Sequence, residues 1–331
     1  MKTAIRLLNY QMLHIFIWLG ILIAPSLAAP ANTFSPYMQN SQNYKAGYGT
    51  FDSTPRYGPY YGPQADYDKA YNLYKKGDLE SALPIFARLC EQNNFIACLS
   101  AGIVQGKLLD SLDKDKRFSK SERNRLKNEY YLSMMAFYQK ACNGGNYDAC
   151  NNLAFYEYKN NMKTKKDKES QKKAQEDNKR SIDLYTKACQ AGNKEACQNL
   201  GLIYSGAGTT TSNNKQEDST EADLARAHNY YNKSCTMGDS VACFNLGVLR
   251  YNYAKVASDY AQAIHFFNQA CGGDYPAACL NLGIIYERGV TEDANDDLAN
   301  ALQYYTKACY LKNANACTYL SKLANKQSKL D

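Results

Sequence analysis

Apolar residues return along this chain at helical spacing, in blocks that repeat. Phe86, Tyr138, Tyr185, Tyr231, Phe267 and Tyr305 form one column. One residue before them stand Ile85, Phe137, Leu184, Tyr230, Phe266 and Tyr304. Four before them are Ala82, Met134, Ser181, Ala227, Ala263 and Ala301. At 3.6 residues per turn these positions share one side of an amphipathic helix. Its predicted N-caps are Asp78, Asp177, Asp223, Asp259 and Asp297, with Tyr130 in the second copy. A Gly/Asn-rich break follows, clearest at Gly144-Gly145, Gly192-Asn193, Gly238-Asp239 and Gly272-Gly273. Glycine tolerates the left-handed conformation that ends helices.

A second helix is predicted after each break. Asn94, Asn146, Asn193, Asp239 and Asn313 are its N-caps, with Tyr275 in the fifth copy. Ala97, Ala149, Ala196, Ala242, Ala278 and Ala316 stand in its first turn. Leu153, Leu200, Leu246, Leu282 and Leu320 follow, with Ala101 in the first copy. The next position is small, as Gly102, Ala154, Gly201, Gly247, Gly283 or Ser321, which lets a neighbouring helix approach closely. The expected fold class is therefore all-α, a stack of six helical hairpins.

Cysteines fix the period. All twelve form pairs with seven residues between them: Cys90/Cys98, Cys142/Cys150, Cys189/Cys197, Cys235/Cys243, Cys271/Cys279 and Cys309/Cys317. On one continuous helix such residues would lie about 12 Å apart, too far for a disulfide. With a turn between them, the end of the first helix meets the start of the second and the pair can close. Six local disulfides are predicted, each closing a nine-residue loop worth roughly 2.5 kcal/mol in the chain-entropy model. A zinc reading fits poorly, because seven-residue spacing is not a usual zinc pattern and histidines are few. No metal or cofactor is expected.

Residues 1–28 read as a cleaved secretory signal peptide. Lys2 and Arg6 precede the largely apolar Met12 to Ala24, and Ser26-Leu27-Ala28 is a small-x-small cleavage site. Export agrees with paired cysteines, since stable disulfides need an oxidising compartment. Secretion or a periplasmic location is expected, with no stable membrane anchor after cleavage. Residues 29–64 are a Tyr/Pro/Gly-rich leader without apolar period, expected to be disordered. The repeat solenoid is expected over 65–331. It opens with a capping helix carrying Tyr67, Ala70, Tyr71 and Tyr74, closed by Gly77.

Successive first cysteines are 52, 47, 46, 36 and 38 residues apart, so a unit of about 36 residues carries three insertions. These lie around Lys107 to Lys127, Lys159 to Arg180 and Ser205 to Glu221, between one hairpin and the next. The first two are lysine-rich. They could meet an anionic surface, but a solvated, partly helical extension is favoured. Net charge is +7, and +5 without Lys2 and Arg6. That is modest, and no aromatic-basic module for nucleic acid is present.

These columns resemble Sel1-like repeats, relatives of the tetratricopeptide repeat. The match lies in the Ala-x3-Phe/Tyr pattern, in KAC at 140–142, 187–189 and 307–309, in A-C-x-N-L-G at 242–247 and 278–283, and in the Tyr-x-x-Gly closing 284–289. The cysteine version looks like the Helicobacter cysteine-rich protein family. The resemblance implies a right-handed α/α superhelix, intra-repeat disulfides and export. Some members of that family are assigned as β-lactamases or penicillin-binding proteins.

Two functions follow. The first is a scaffold for a peptide or protein partner at the cell envelope or on a host. Its candidate partner-binding residues are Lys140, Lys187, Asn232, Lys233, Asn268 and Lys307, which turn away from the buried aromatics. The second is a β-lactam-binding or hydrolysing protein, with a β-lactam or cell-wall peptide as ligand, implied only by the resemblance. Serine enzymes of that class need S-x-x-K with S-D-N and K-T-G. S-x-x-K occurs at Ser170–Lys173 and Ser212–Lys215, both in polar insertions, and the other two elements are absent. No catalytic residue is assigned.

Overall fold

The computed structural model describes residues 64–163, 168–205, 221–252, 257–288 and 297–327. The predicted signal peptide and residues 29–63 of the leader lie outside the described residues, as does most of the third insertion. The described residues form thirteen α-helices. They fall into two compact units that divide after Leu200.

The first unit holds α1 (Gln64–Lys76), α2 (Leu79–Glu91), α3 (Phe95–Ser111), α4 (Lys120–Asn143), α5 (Tyr147–Lys163), α6 (Lys168–Gln190) and most of α7 (Lys194–Tyr204). Helices adjacent in sequence from α1 to α6 pack on each other. The second unit holds the end of α7, then α8 (Glu221–Thr236), α9 (Ser240–Asn252), α10 (Ala257–Gly272), α11 (Pro276–Glu287), α12 (Asp297–Tyr310) and α13 (Ala314–Gln327). Here too, helices adjacent in sequence from α8 onward pack together.

The core is built from the predicted columns. Phe86, Tyr138, Tyr185, Tyr231, Phe267 and Tyr305 are all buried, and the alanine before every second cysteine has no exposed surface. The small column has a specific occupant. A Cβ on Gly102, Gly247 or Gly283 would stand 2.5–2.7 Å from the ring of Tyr138, Phe267 or Tyr305, and one on Gly201 would meet Tyr231. In each case the ring belongs to the next hairpin. The bare glycine backbone is the seat for that ring.

One turn geometry recurs six times. Asn93, Gly145, Gly192, Gly238, Asp274 and Lys312, three residues after each first cysteine, all have positive φ. In every copy the N–H of the residue that follows donates back across the helix end at 3.0–3.2 Å, as Asn94 does to Leu89 O. The positive-φ residue itself donates to the cysteine carbonyl at 2.9–3.1 Å. This pair of bonds is a Schellman closure. The residue after it then opens the second helix. Side-chain oxygens of Asn94, Asn146, Asn193, Asp239 and Asn313 accept from backbone N–H groups three residues on, at 2.7–3.1 Å. Tyr275 makes no such bond, and Pro276 starts that helix without needing a donor. Glycine was expected in the left-handed position, but Gly272-Gly273 does not supply it in the fifth copy; Asp274 does.

The first-helix caps differ from expectation. Asp78 is an N-cap, accepting from Ser81 N at 3.2 Å. Tyr130 lies inside α4, which starts at Lys120 behind a Ser119–Glu122 capping box. Asp177, Asp223 and Asp259 also lie inside helices, and Asp297 is the first residue of α12. The physical reason is that the insertions themselves contain helix-forming lysine, arginine and glutamate. They extend α4 and α6 backward past the column, whereas α8, α10 and α12 start within two residues of it.

α1 forms as predicted, buries Tyr67 and Ala70, and ends at Gly77 with φ +85°. Tyr67 meets Phe86 edge-on at 5.3 Å, and its hydroxyl lies 3.0 Å from Ser100 Oγ.

Candidate partner-binding surfaces

Each hairpin is closed by its own disulfide. Cys90–Cys98, Cys142–Cys150, Cys189–Cys197, Cys235–Cys243, Cys271–Cys279 and Cys309–Cys317 have Cα separations of 4.5–4.8 Å. No cysteine is free. Five pairs are buried, while Cys309 and Cys317 are half-exposed. The turn edge beside these bridges is where the predicted partner-binding side chains stand.

Lys140, Lys187, Lys233 and Lys307 all occupy the last turn of a first helix. A cation there is favoured by the partial negative charge of the helix end. Lys187 and Lys233 are exposed. Lys140 and Lys307 are half-buried and reach the preceding hairpin. Lys140 Nζ donates to Glu91 O at 3.3 Å, and Lys307 Nζ pairs with Asp274 Oδ1 at 3.1 Å. Asn268 accepts from the Tyr304 hydroxyl at 2.6 Å, again between hairpins. Asn232 is half-buried on α8. The six positions fall in two adjacent columns, two and three residues before the first cysteine, and three of them make contacts between hairpins.

Lys140 also lines a shallow groove of about 460 Å³, with Gln139, Ala136 and Asn143 of α4 and with Asn93 and Phe95 of the preceding hairpin. Leu132, 59% exposed, continues the same stripe of α4.

The first basic insertion is largely matched internally. Arg117 pairs with Asp115 and Glu80 at 2.8 and 2.9 Å, Lys127 pairs with Asp113, and Arg125 with Glu129 at 3.3 Å. Arg123 donates to the carbonyls of Asp115 and Phe118, and Lys107 lies over the Tyr74 ring at 4.5 Å. Hydrogen bonds from Arg117 hold the Asp115 carboxyl below the usual range. These contacts fit a self-compensated helical extension better than a bare cationic patch. Ser170 and Lys173 lie on α6, whose side chains there are outside the described residues; Ser212–Lys215 is wholly outside them.

A second group of residues includes His228, which the sequence alone reads, with His265, as a surface or packing residue and not as half of a catalytic pair. His228 of α8 and Arg250 of α9 meet, with Arg250 Nη2 donating to His228 Nε2 at 2.6 Å. Burial first, and the Arg250 charge second, hold the imidazole below its ordinary pKa. Tyr204 and Tyr230 stack with rings 5.7 Å apart and 7° from parallel; Tyr286 and Tyr304 repeat this at 5.5 Å and 6°. A signal for the histidine was present. Its column reads Leu83, Met135, Ile182, His228, Ile264 and Leu302, apolar everywhere else.

Among the described residues no cluster of metal-ligating side chains occurs, and no helix is long and apolar enough to cross a membrane.

The family model described as Sel1 repeat matches residues 56–77, 135–146, 171–193, 194–239, 240–275 and 276–313, together just over half of the chain. Its first segment takes in α1. No curated protein matches in sequence. Among solved structures, a Sel1 repeat protein from Oxalobacter formigenes aligns with TM-score 0.52 and 21% identity, over 78% of this chain and 89% of that one. That likeness shows the fold. A protective antigen of uropathogenic Escherichia coli strains displaying an SLR fold aligns with TM-score 0.39 and 25% identity, over 80% and 56%. An immunity protein from Pseudomonas aeruginosa aligns with TM-score 0.40 and 14% identity, over 77% and 84%.

Proposed function

Since the chain belongs to the Sel1 repeat family, we propose that it is an exported, disulfide-stapled scaffold that binds a peptide or protein partner at the cell envelope or on a host. The observation that carries this reading is the use of all twelve cysteines as six local bridges, one per hairpin. Such bridges persist in an oxidising compartment. One such bridge per hairpin supports reading the chain as similar to the Helicobacter cysteine-rich proteins within the wider family. Residues 1–28 supply the export signal, and residues 29–64 tether the repeats. Stacked helical hairpins present the same side-chain positions again and again, a surface suited to an extended partner.

Protein purified from the extracytoplasmic fraction, without reductant, tests this directly. Its N-terminus should be Ala29, and its intact mass should lie about 12 Da below the reduced chain, two hydrogens per bridge. It should also retain specific members of a random peptide library. Alkylatable thiols in the exported protein, or an intact first 28 residues, would contradict the export reading. A library that yields nothing would contradict the scaffold reading.

A further inference from the structure

In residues 201–327 the seventh position after the second cysteine holds Tyr204, Arg250 and Tyr286 in successive hairpins. The fifth position before the next first cysteine holds Tyr230, Phe266 and Tyr304. Six half-buried side chains thus make three rungs in one register, two of them near-parallel tyrosine stacks. The central rung carries a cation. Among the described residues Arg250 is held by an imidazole and pairs with no carboxylate, and its Nε–H meets no acceptor there. The groups that shift His228 are Arg250 and Asn229, neither of them acidic. A half-buried guanidinium without a counter-charge is costly unless something supplies one.

We propose that this row binds an extended acidic peptide segment of a partner protein. The carboxylate of one Asp or Glu accepts from the Arg250 guanidinium, a charge-assisted bond of the stronger kind. Aromatic or prolyl residues on either side lie against the Tyr204/Tyr230 and Tyr286/Tyr304 stacks. Rungs at ordinary helix-packing distance are roughly 10 Å apart. An extended peptide advances about 3.3 Å per residue. The flanking residues therefore stand about three positions before and after the acid. The inference rests on the scaffold reading above and names its ligand class and its site.

The test uses the full oxidised chain and two peptides, acetyl-PYPGEGPYP-amide and the same peptide with Gln for Glu. Titration calorimetry gives affinity, and the imidazole resonances of His228 give location. The acidic peptide should bind at least about tenfold more tightly than its Gln counterpart, the loss expected for one charge-assisted bond. Binding should also move the His228 resonance and raise its pKa, because a carboxylate beside Arg250 offsets the cation. Arg250→Gln should remove the preference between the peptides, and Tyr286→Ala should weaken both. Equal binding of the two peptides to the unaltered protein overturns the proposal, whatever the variants do. So does binding that leaves His228 unmoved, or no binding of either. The scaffold reading then stands or falls separately on whether library peptides bind elsewhere on the chain.

Discussion

His228 is a base placed where its neutral form is favoured. Burial and the Arg250 charge depress its folded pKa, while in the unfolded chain it titrates near 6.5. Above that pH both states are neutral, and the stabilisation from this group is fully present. As pH falls, the unfolded state takes up the proton first, so stability declines until the folded pKa is passed. Urea midpoints should therefore fall between about pH 7 and pH 5 more steeply for the natural protein than for His228→Ile, which installs an apolar residue already present in that column at Ile182 and Ile264. Parallel pH profiles for the two proteins would show that the imidazole titrates normally. Asn94 acts at the same scale. One side chain, with one backbone N–H, ends α2 and starts α3.

At the scale of the helix, the glycine seat sets how closely one hairpin meets the next. A methyl on Gly283 would stand 2.5 Å from the Tyr305 ring, which is fully buried. Gly283→Ala should cost about 1–3 kcal/mol by overpacking, read as a lower midpoint in denaturant. Gly192→Ala has open space but φ +91°, and should cost about 1 kcal/mol through the backbone alone. Equal losses at both sites would mean that the ring does not hold its place. The small column was legible in the sequence because spacing alone identifies it; the ring that fills it was not, because that contact crosses to the next hairpin. The second-helix caps were legible for a local reason, since Asn or Asp beside a left-handed turn bonds within its own segment. The aspartate column was misleading because it stands at constant distance from the cysteines, whereas α4 and α6 start well upstream, where inserted lysine, arginine and glutamate already favour helix. The His228–Arg250 pair joins columns that lie 22 residues apart, and periodicity carries no information about such a pairing.

At the scale of the molecule, the bridges dominate the balance. Six nine-residue closures at roughly 2.5 kcal/mol each amount to about 15 kcal/mol, as large as the whole net stability of an ordinary domain. Full reduction and alkylation should therefore abolish cooperative thermal unfolding and most helical ellipticity. A reduced chain that still melts sharply would assign stability to packing instead. Under stepwise reduction the half-exposed Cys309–Cys317 pair should open first, identified by peptide mapping of the alkylated thiols. The six hairpins were readable from cysteine spacing, and the division after Leu200 was not.

The turn shared by two helices has a further consequence. Because a single residue terminates the first helix and nucleates the second, the two helices of a hairpin are locked in phase. One residue more or fewer in that turn would break the left-handed closure, the cap and the bridge together. The links between hairpins carry no such lock, and all three insertions fall there. Length variation in this architecture is confined to the links between hairpins, so those links can acquire new sequence without retuning the six closed units.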